Sequence, residues 1–129
     1  MSVPDPAEIA LKFVDCINRQ DVEGLGALMT GDHTFVGYER GDRAQGREVM
    51  ARGFAEYFAA FPGYRINVSK VLRSGDDIAI IGTTTGSHVA PELEARETLI
   101  WTARIEHGLV AEWRIYTDLE QIRGGGQGE

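Results

Sequence analysis

The sequence predicts an α+β domain in which three N-terminal helices pack on a curved, mostly antiparallel mixed sheet, giving a cone-shaped domain. Apolar residues recur at helical spacing in the first half of the chain, whereas alternating segments separated by short turns fill the second half. The second half has no helical segment that could connect parallel strands, so its consecutive strands are expected to be antiparallel. A sheet curled around helices of unequal length leaves an open end, which is a natural pocket for a small molecule.

The three helices are predicted from their caps and apolar stripes. The first follows Asp5, whose side chain can cap it, and runs to about Gln20. The second, residues 22–30, follows a cap at Asp21 and is weakened by two glycines. The third covers residues 47–61 and ends before a Pro-Gly pair. One stripe of this third helix carries Met50, Phe54, Tyr57, Phe58 and Phe61.

Five strands are predicted. The first covers residues 32–39, and turn residues 40–46 follow it. The third helix is followed by four strands, at residues 64–74, 77–88, 95–106 and 109–118. Glycine-containing turns at 75–76 and 107–108 join two pairs of them as hairpins. Small residues on one face of the 77–88 strand leave room for a ligand or a close-packed helix: Gly82, Thr84 and Gly86.

The composition favours one soluble domain. Of the 129 residues, 43% are hydrophobic and 26% are charged, which are ordinary globular proportions. We expect a single domain over residues 1–123 and a disordered glycine-rich tail over residues 124–129. The net charge of −7 disfavours nucleic acid and anionic membrane surfaces as partners. A single cysteine and an N-terminus without signal-peptide character favour a cytoplasmic protein.

Two stretches carry a family resemblance. "QGREVMARGFAEYFAAFPGYRINVSKVLRSGDDIAIIGTTTGSH" has a Gly-Arg-Glu helix start, an Ala-Phe-Pro helix end and two strands joined by Gly-Asp. "GLVAEWRIYTD" is a closing strand in which an Asp follows a Trp by five residues. With the first two helices, these features resemble the SnoaL-like polyketide cyclase group of the nuclear transport factor 2-like superfamily over residues 6–120.

This resemblance implies a site. In the cyclases the closing-strand carboxylate acts as acid and base in a cofactor-free aldol closure, and Asp118 stands at that position. A positioned carboxylate can take a proton from carbon, and His33 and His88 can supply the hydrogen bond that a developing enolate needs. The expected cavity wall is aromatic and consists of Phe13, Phe54, Tyr57, Phe58, Trp101 and Trp113.

The position of Asp118 relative to the cavity stays open at this point. Alternation puts Trp113, Ile115 and Thr117 on one strand face and Asp118 on the other. If Trp113 faces the cone, Asp118 reaches the cavity only through a bulge in the strand. Its alternative role is to cap the turn that follows.

At several positions this chain lacks the catalytic residues of related enzymes, which excludes some reactions from the expected set. Ketosteroid isomerases have a Tyr where this chain has Phe13 and a base Asp where it has Gly37. Limonene epoxide hydrolases have an Asp where this chain has Ile115. Both activities are therefore disfavoured. Residues 88–97 are shorter and more acidic than the lid of SnoaL-like chains, which favours a smaller or more cationic ligand.

Two functions follow from these observations. One is a cofactor-independent cyclase or isomerase-type enzyme that uses acid–base catalysis on a small apolar carbonyl compound. The alternative is a non-catalytic module that binds a small hydrophobic molecule in the same pocket. We expect no cofactor, and no metal, because the three histidines and the one cysteine have no short ligand spacing.

A homodimer is expected from the last two strands. Their apolar residues exceed what one side of a small core would use. These residues are Leu99, Trp101, Ile105, Trp113 and Ile115.

Overall fold

The computed structural model describes residues 5–37 and 42–117. Its helices are α1 Pro6–Arg19, α2 Val22–Ala27, α3 Arg47–Ala60 and α4 Pro91–Glu94. Its strands are β1 Met29–Val36, β2 Arg43–Gln45, β3 Arg65–Ser74, β4 Asp77–Thr85, β5 Leu99–Glu106 and β6 Leu109–Thr117. The predicted base Asp118 and the predicted tail 124–129 lie outside the described residues.

All six strands form one mixed sheet, in the order β2-β1-β6-β5-β4-β3. The hairpins β3–β4 and β5–β6 and the β4–β5 pair are antiparallel, as predicted, and β1 lies parallel to β6. Helix α1 crosses the inner face of β3 to β6, and α3 packs on β1 and β2. The predicted α+β class with helices on a mixed sheet is therefore confirmed.

Three short elements differ from the sequence prediction. The predicted turn 40–46 contains β2, which pairs with β1 across a hairpin closed by the Gly37 amide and the Asp42 carbonyl at 2.7 Å. The second helix ends at Ala27, because Met29 already pairs with β6. Strand β5 begins only at Leu99, because residues 95–96 form the turn that follows α4.

Helix α1 forms where the sequence predicts it, and a polar clamp fixes it to the sheet. The Asp5 side chain accepts a hydrogen bond from the Ala7 amide at 3.1 Å and caps the helix. Near the other end, the Asn18 amide group donates to the Ile66 carbonyl at 3.0 Å and accepts from the Ile66 amide at 2.7 Å. These two bonds hold α1 against the start of β3.

The inner face of the sheet supplies the core. Its buried residues include Ile78, Ile80, Leu99, Trp101, Ala103, Ile105 and Trp113. Four of these residues were predicted to form a dimer interface, namely Leu99, Trp101, Ile105 and Trp113. That prediction was wrong for these residues, because the helices of the same domain cover them. In the described ranges, no helix is long and apolar enough to cross a bilayer.

Two glycines, one in β4 and one just after it, make room for the backbone of a neighbouring segment. A side chain at Gly82 would collide with the Asn67 carbonyl of β3. Gly86 has φ +73° and lies against the Gly63 carbonyl in the turn before β3. The expected space for a ligand or helix beside these glycines is therefore filled by main chain.

Candidate functional site

A cavity of about 520 Å³ lies where β4 and β6 end and β5 begins, beneath α3. Helix α3 supplies much of the wall, because Met50, Phe54 and Tyr57 recur at helical spacing on its inner side. The aromatic side chains that line the cavity are Phe35, Phe54, Tyr57, Tyr64 and Trp113. The volume and the aromatic wall are typical of a site for a small organic molecule.

Tyr57 and His88 form a polar pair on this wall. The Tyr57 hydroxyl oxygen lies 2.8 Å from His88 Nδ1 and accepts the His88 backbone N–H at 3.1 Å. Two hydrogen bonds to one residue hold the loop that follows β4 against α3. Burial raises the pKa of Tyr57, the hydrogen bond from the His88 amide opposes the rise, and the charges of Glu94 and Glu97 add to it.

Two carboxylates are buried near the start of β5, Glu94 at the end of α4 and Glu97 in the connection that follows. Glu94 Oε2 accepts hydrogen bonds from the Thr84 hydroxyl at 2.8 Å and the Ser87 amide at 3.0 Å. Glu97 Oε2 accepts a hydrogen bond of 2.5 Å from the Thr117 hydroxyl. Glu97 lines the cavity although it is only 2% exposed. The two carboxylates therefore have different surroundings, and Glu97 is the one in the wall.

The other charged groups of the cavity stand at its rim. Asp42, Arg52 and Glu56 line the cavity and are exposed to solvent. Arg52 is the only Lys or Arg among the described lining residues. Acidic groups thus outnumber basic ones along the wall.

The structure brings together about half of the predicted site residues. His88, Phe54, Tyr57 and Trp113 all line the cavity. The remaining described ones lie in the core, away from the wall: Phe13, His33, Phe58 and Trp101. Phe13 still supports the wall from behind, with its ring centroid 4.7 Å from that of Trp113 and 6.1 Å from that of Phe54.

His33 is a core residue in this structure. It lies where the β1–β6 pairing is irregular, and its ring is fully buried beside Phe13, with centroids 6.0 Å apart. Nδ1 donates to the Val110 carbonyl at 2.8 Å, and Nε2 has no hydrogen-bond partner among the described residues. Burial lowers the pKa of His33. The neutral imidazole is therefore the form that this core accommodates.

The last described residues of β6 are regular. Trp113, Ile115 and Thr117 pair in unbroken register with β5, and the register shift lies earlier, between Arg104 and Ile105 of β5. Trp113 and Ile115 line the cavity, and Thr117 bonds to Glu97 in its wall. The inner face of β6 is thus the face that the sequence analysis assigned to Trp113. Asp118 is the next residue and lies outside the described part.

Sequence reasoning missed Glu97, Glu94 and their hydroxyl partners as site residues. The segment was noted for its acidity, but glutamates are most often exposed, and α4 is too short to give a periodic pattern. A usable signal was the three-residue spacing of Glu94 and Glu97 directly before an apolar strand. That spacing puts two carboxylates on one side of a helical turn, facing the end of the sheet.

Comparison with known families identifies the class of the protein. The family described as SnoaL-like domain matches residues 10–113, which is most of the chain. The chain belongs to this family. A search of curated proteins found no match.

Solved structures with the same fold support this assignment. An NTF2-like protein of unknown function from Cytophaga hutchinsonii is similar with a TM-score of 0.74 at 14% identity, covering 95% of this chain and 97% of the other. A protein named as a SnoaL-like polyketide cyclase from Jannaschia sp. has a TM-score of 0.72 at 21% identity, with 92% and 89% covered. A protein named as a ketosteroid isomerase from Kribbella flavida has a TM-score of 0.71 at 21% identity. The match covers 87% of this chain and 76% of the other. Identities this low show a shared fold only.

Proposed function

We propose that this SnoaL-like protein is a cofactor-independent enzyme of cyclase or isomerase type, using acid–base catalysis on a small, largely apolar carbonyl compound. The observation that carries the proposal is the Tyr57–His88 pair in an otherwise largely aromatic and aliphatic wall. Buried pockets with a few polar groups among apolar side chains are where proton transfer is most readily controlled.

The polar pair would act on the carbonyl oxygen. When the Tyr57 hydroxyl donates to His88 Nδ1, the neutral ring carries its own proton on Nε2. An imidazole N–H held in this way can stabilise the negative charge that develops on an enolate oxygen. The bond at Nδ1 orients the ring, and the bond from the His88 backbone amide holds the residue beside Tyr57, so little reorganisation is needed during the reaction.

The proton acceptor in this proposal is Asp118, the closing-strand carboxylate that the family resemblance assigns. It follows Thr117, which bonds to the cavity wall. Its role as the acceptor rests on that resemblance, and the Asp118→Asn variant tests it.

The direct experiment measures exchange of carbon-bound hydrogen. We expect the protein to accelerate deuterium incorporation into cyclohexanone or 1-indanone in D₂O, followed by NMR. Asp118→Asn should lower the rate by roughly 100- to 10,000-fold and His88→Gln by roughly 100- to 1,000-fold. Asp76→Asn, in an exposed turn, serves as the matched control. Wild-type protein that exchanges neither ketone faster than buffer would contradict the enzyme proposal.

A non-catalytic binding module is the second candidate. It is favoured by the position of His33, which leaves the cavity without one of the two histidines that the enzyme proposal assigned to it. In that case 1-indanone would bind, and a tryptophan fluorescence change from Trp113 would report it, without any exchange. Binding with exchange supports the enzyme, and binding without exchange supports the module.

We also propose that two copies associate through the outer face of the sheet. Ile81, Ile100 and Tyr116 lie directly opposite one another on β4, β5 and β6. Ile100 and Tyr116 are 38% and 43% exposed, which is high for large apolar side chains.

Light scattering at micromolar concentration should give the mass of a dimer, and Ile100→Lys should give a monomer. Leu11→Lys, on exposed α1 surface, is the control. A wild-type monomer would contradict the dimer.

A further inference from the structure

Glu97 has a carboxylate in the cavity wall that the proposed proton transfer does not use. It is 2% exposed, and its one side-chain partner in the described structure is the Thr117 hydroxyl. No Lys, Arg or His nitrogen of the described residues lies within 4.0 Å of it. Buried charges in proteins are normally paired, because an isolated one is costly to remove from water. The missing counter-charge is the feature to explain.

A comparison with Glu94 shows that Glu97 also has fewer hydrogen-bond partners than a buried carboxylate can have in this protein. Glu94 is also buried, but its Oε2 accepts two hydrogen bonds, from Thr84 and from the Ser87 amide, and it does not line the cavity. Glu97 accepts one and lies in the wall. The carboxylate with fewer protein partners is therefore the one that a ligand can reach.

The rest of the wall suits a positive charge. Phe54, Tyr57 and Trp113 present aromatic rings to the same cavity, and the faces of such rings attract organic cations. At the exposed rim, the two negative charges of Asp42 and Glu56 outnumber the one positive charge of Arg52. The raised pKa of Tyr57, caused first by burial and then in part by Glu94 and Glu97, is consistent with a negative potential on this wall.

We propose that the ligand of this cavity carries a small organic ammonium group, which pairs with the Glu97 carboxylate and packs against the aromatic rings of Phe54, Tyr57 and Trp113. This inference rests on the proposed use of the cavity as a small-molecule site and names the chemical class of the molecule. The Thr117 hydroxyl acts as a positioning group, since it holds the Glu97 carboxylate in the wall.

The test compares a cation with its neutral isostere. Choline and 3,3-dimethyl-1-butanol have the same shape and hydroxyl group, and differ in a quaternary nitrogen that replaces a carbon. We expect calorimetry or NMR titration of the full chain to show at least tenfold tighter binding of choline. Glu97→Gln should remove that preference and leave the affinity for the alcohol unchanged. Glu92→Gln, an exposed carboxylate on α4, should leave both affinities unchanged.

The outcomes separate this inference from the proposed reaction. Equal binding of the two probes, or binding of neither at tens of millimolar, would overturn the ammonium ligand, whatever the ketone exchange experiment shows. A choline preference that survives Glu97→Gln would overturn the role of Glu97. A Glu97-dependent choline preference without ketone exchange would support the ligand class and count against the reaction only. If Glu97→Gln fails to fold, Glu97→Asp replaces it, and a tenfold loss for choline alone is then the expected result.

Discussion

The two ends of the sheet each hold a histidine, one buried in the core and one at the rim of a cavity. Where β6 begins, His33 is sealed among apolar side chains, with one ring nitrogen bonded to Val110 and the other without a described partner. Where β6 ends, His88 stands at the rim of a cavity and is held by Tyr57 through both its ring and its backbone amide. At the first end, close packing holds the His33 ring. At the second, hydrogen bonds between Tyr57 and His88 hold both residues beside the cavity.

This difference indicates which residues carry stability and which carry function. Side chains at the closed end have no solvent or ligand to face, so a change there acts on the free energy of unfolding. Side chains at the open end face a void, so a change there should act mainly on binding and chemistry unless it removes the partner of a buried carboxylate.

The largest effect is expected from Phe13→Ala. The Phe13 ring is fully buried and contacts His33, Phe54 and Trp113, so its removal leaves a cavity that the surroundings cannot close. The cost should be about 3–5 kcal/mol of unfolding free energy. Phe54→Ala should cost clearly less, because Phe54 already faces a void. Urea unfolding measures both, and equal losses would contradict the division between the two ends.

The next effect is expected from Thr84→Val, which keeps the side-chain shape and removes the hydroxyl that donates to Glu94. A buried carboxylate then loses one of two partners, at a cost of about 1–3 kcal/mol. Thr83→Val is the matched control, since Thr83 is the exposed neighbour on the other face of β4. A loss no larger than that of the control would mean that water replaces the Thr84 hydroxyl.

His33 should make stability depend on pH. Because burial lowers its pKa, the unfolded chain binds the proton more readily than the folded protein. The stabilisation from neutral His33 is therefore complete above about pH 6.5, the unfolded value, and is lost as the pH falls from there towards the folded pKa. One such group contributes a slope of at most about 1.4 kcal/mol per pH unit.

His33→Gln isolates this contribution. Glutamine can still donate to the Val110 carbonyl but does not titrate. The difference in unfolding free energy between wild type and variant should shrink as the pH falls from 7 to 5. A difference that stays constant over this range would show that His33 does not titrate between the two states.

Much of the fold follows from local sequence signals, and the site does so only in part. The cap at Asp5, the stripe of α3 and the hairpin turns each specify an element through neighbours in the chain. Strand β2 has three residues and no alternation to detect, and it exists because β1 offers an edge. Its formation is decided by tertiary contact, which no local pattern encodes.

The site residues show the same limit. The sequence predicts Tyr57 and Trp113 as cavity residues because each belongs to an apolar face that points into the cone, and such a face also lines the cavity. Glu97 is missed because its burial depends on Thr117, twenty residues later. The prediction for His33 is wrong because β1 pairs irregularly with β6 at this residue, and its side chain points into the core. Distant contacts therefore decide which polar residues reach the cavity.

The smallest stability effect is expected from Tyr57→Phe. The change removes only the hydroxyl that bonds to the His88 ring and amide, both at a solvent-exposed residue, so the cost should be about 1 kcal/mol. Its consequence for the open end should be larger, because the loop after β4 loses its link to α3. Hydrogen exchange of the His88 amide should become faster, whereas Tyr116→Phe on the outer face should leave it unchanged. Unchanged exchange would mean that the loop is held by packing, as at the closed end, and that the two ends differ less than their hydrogen bonds suggest.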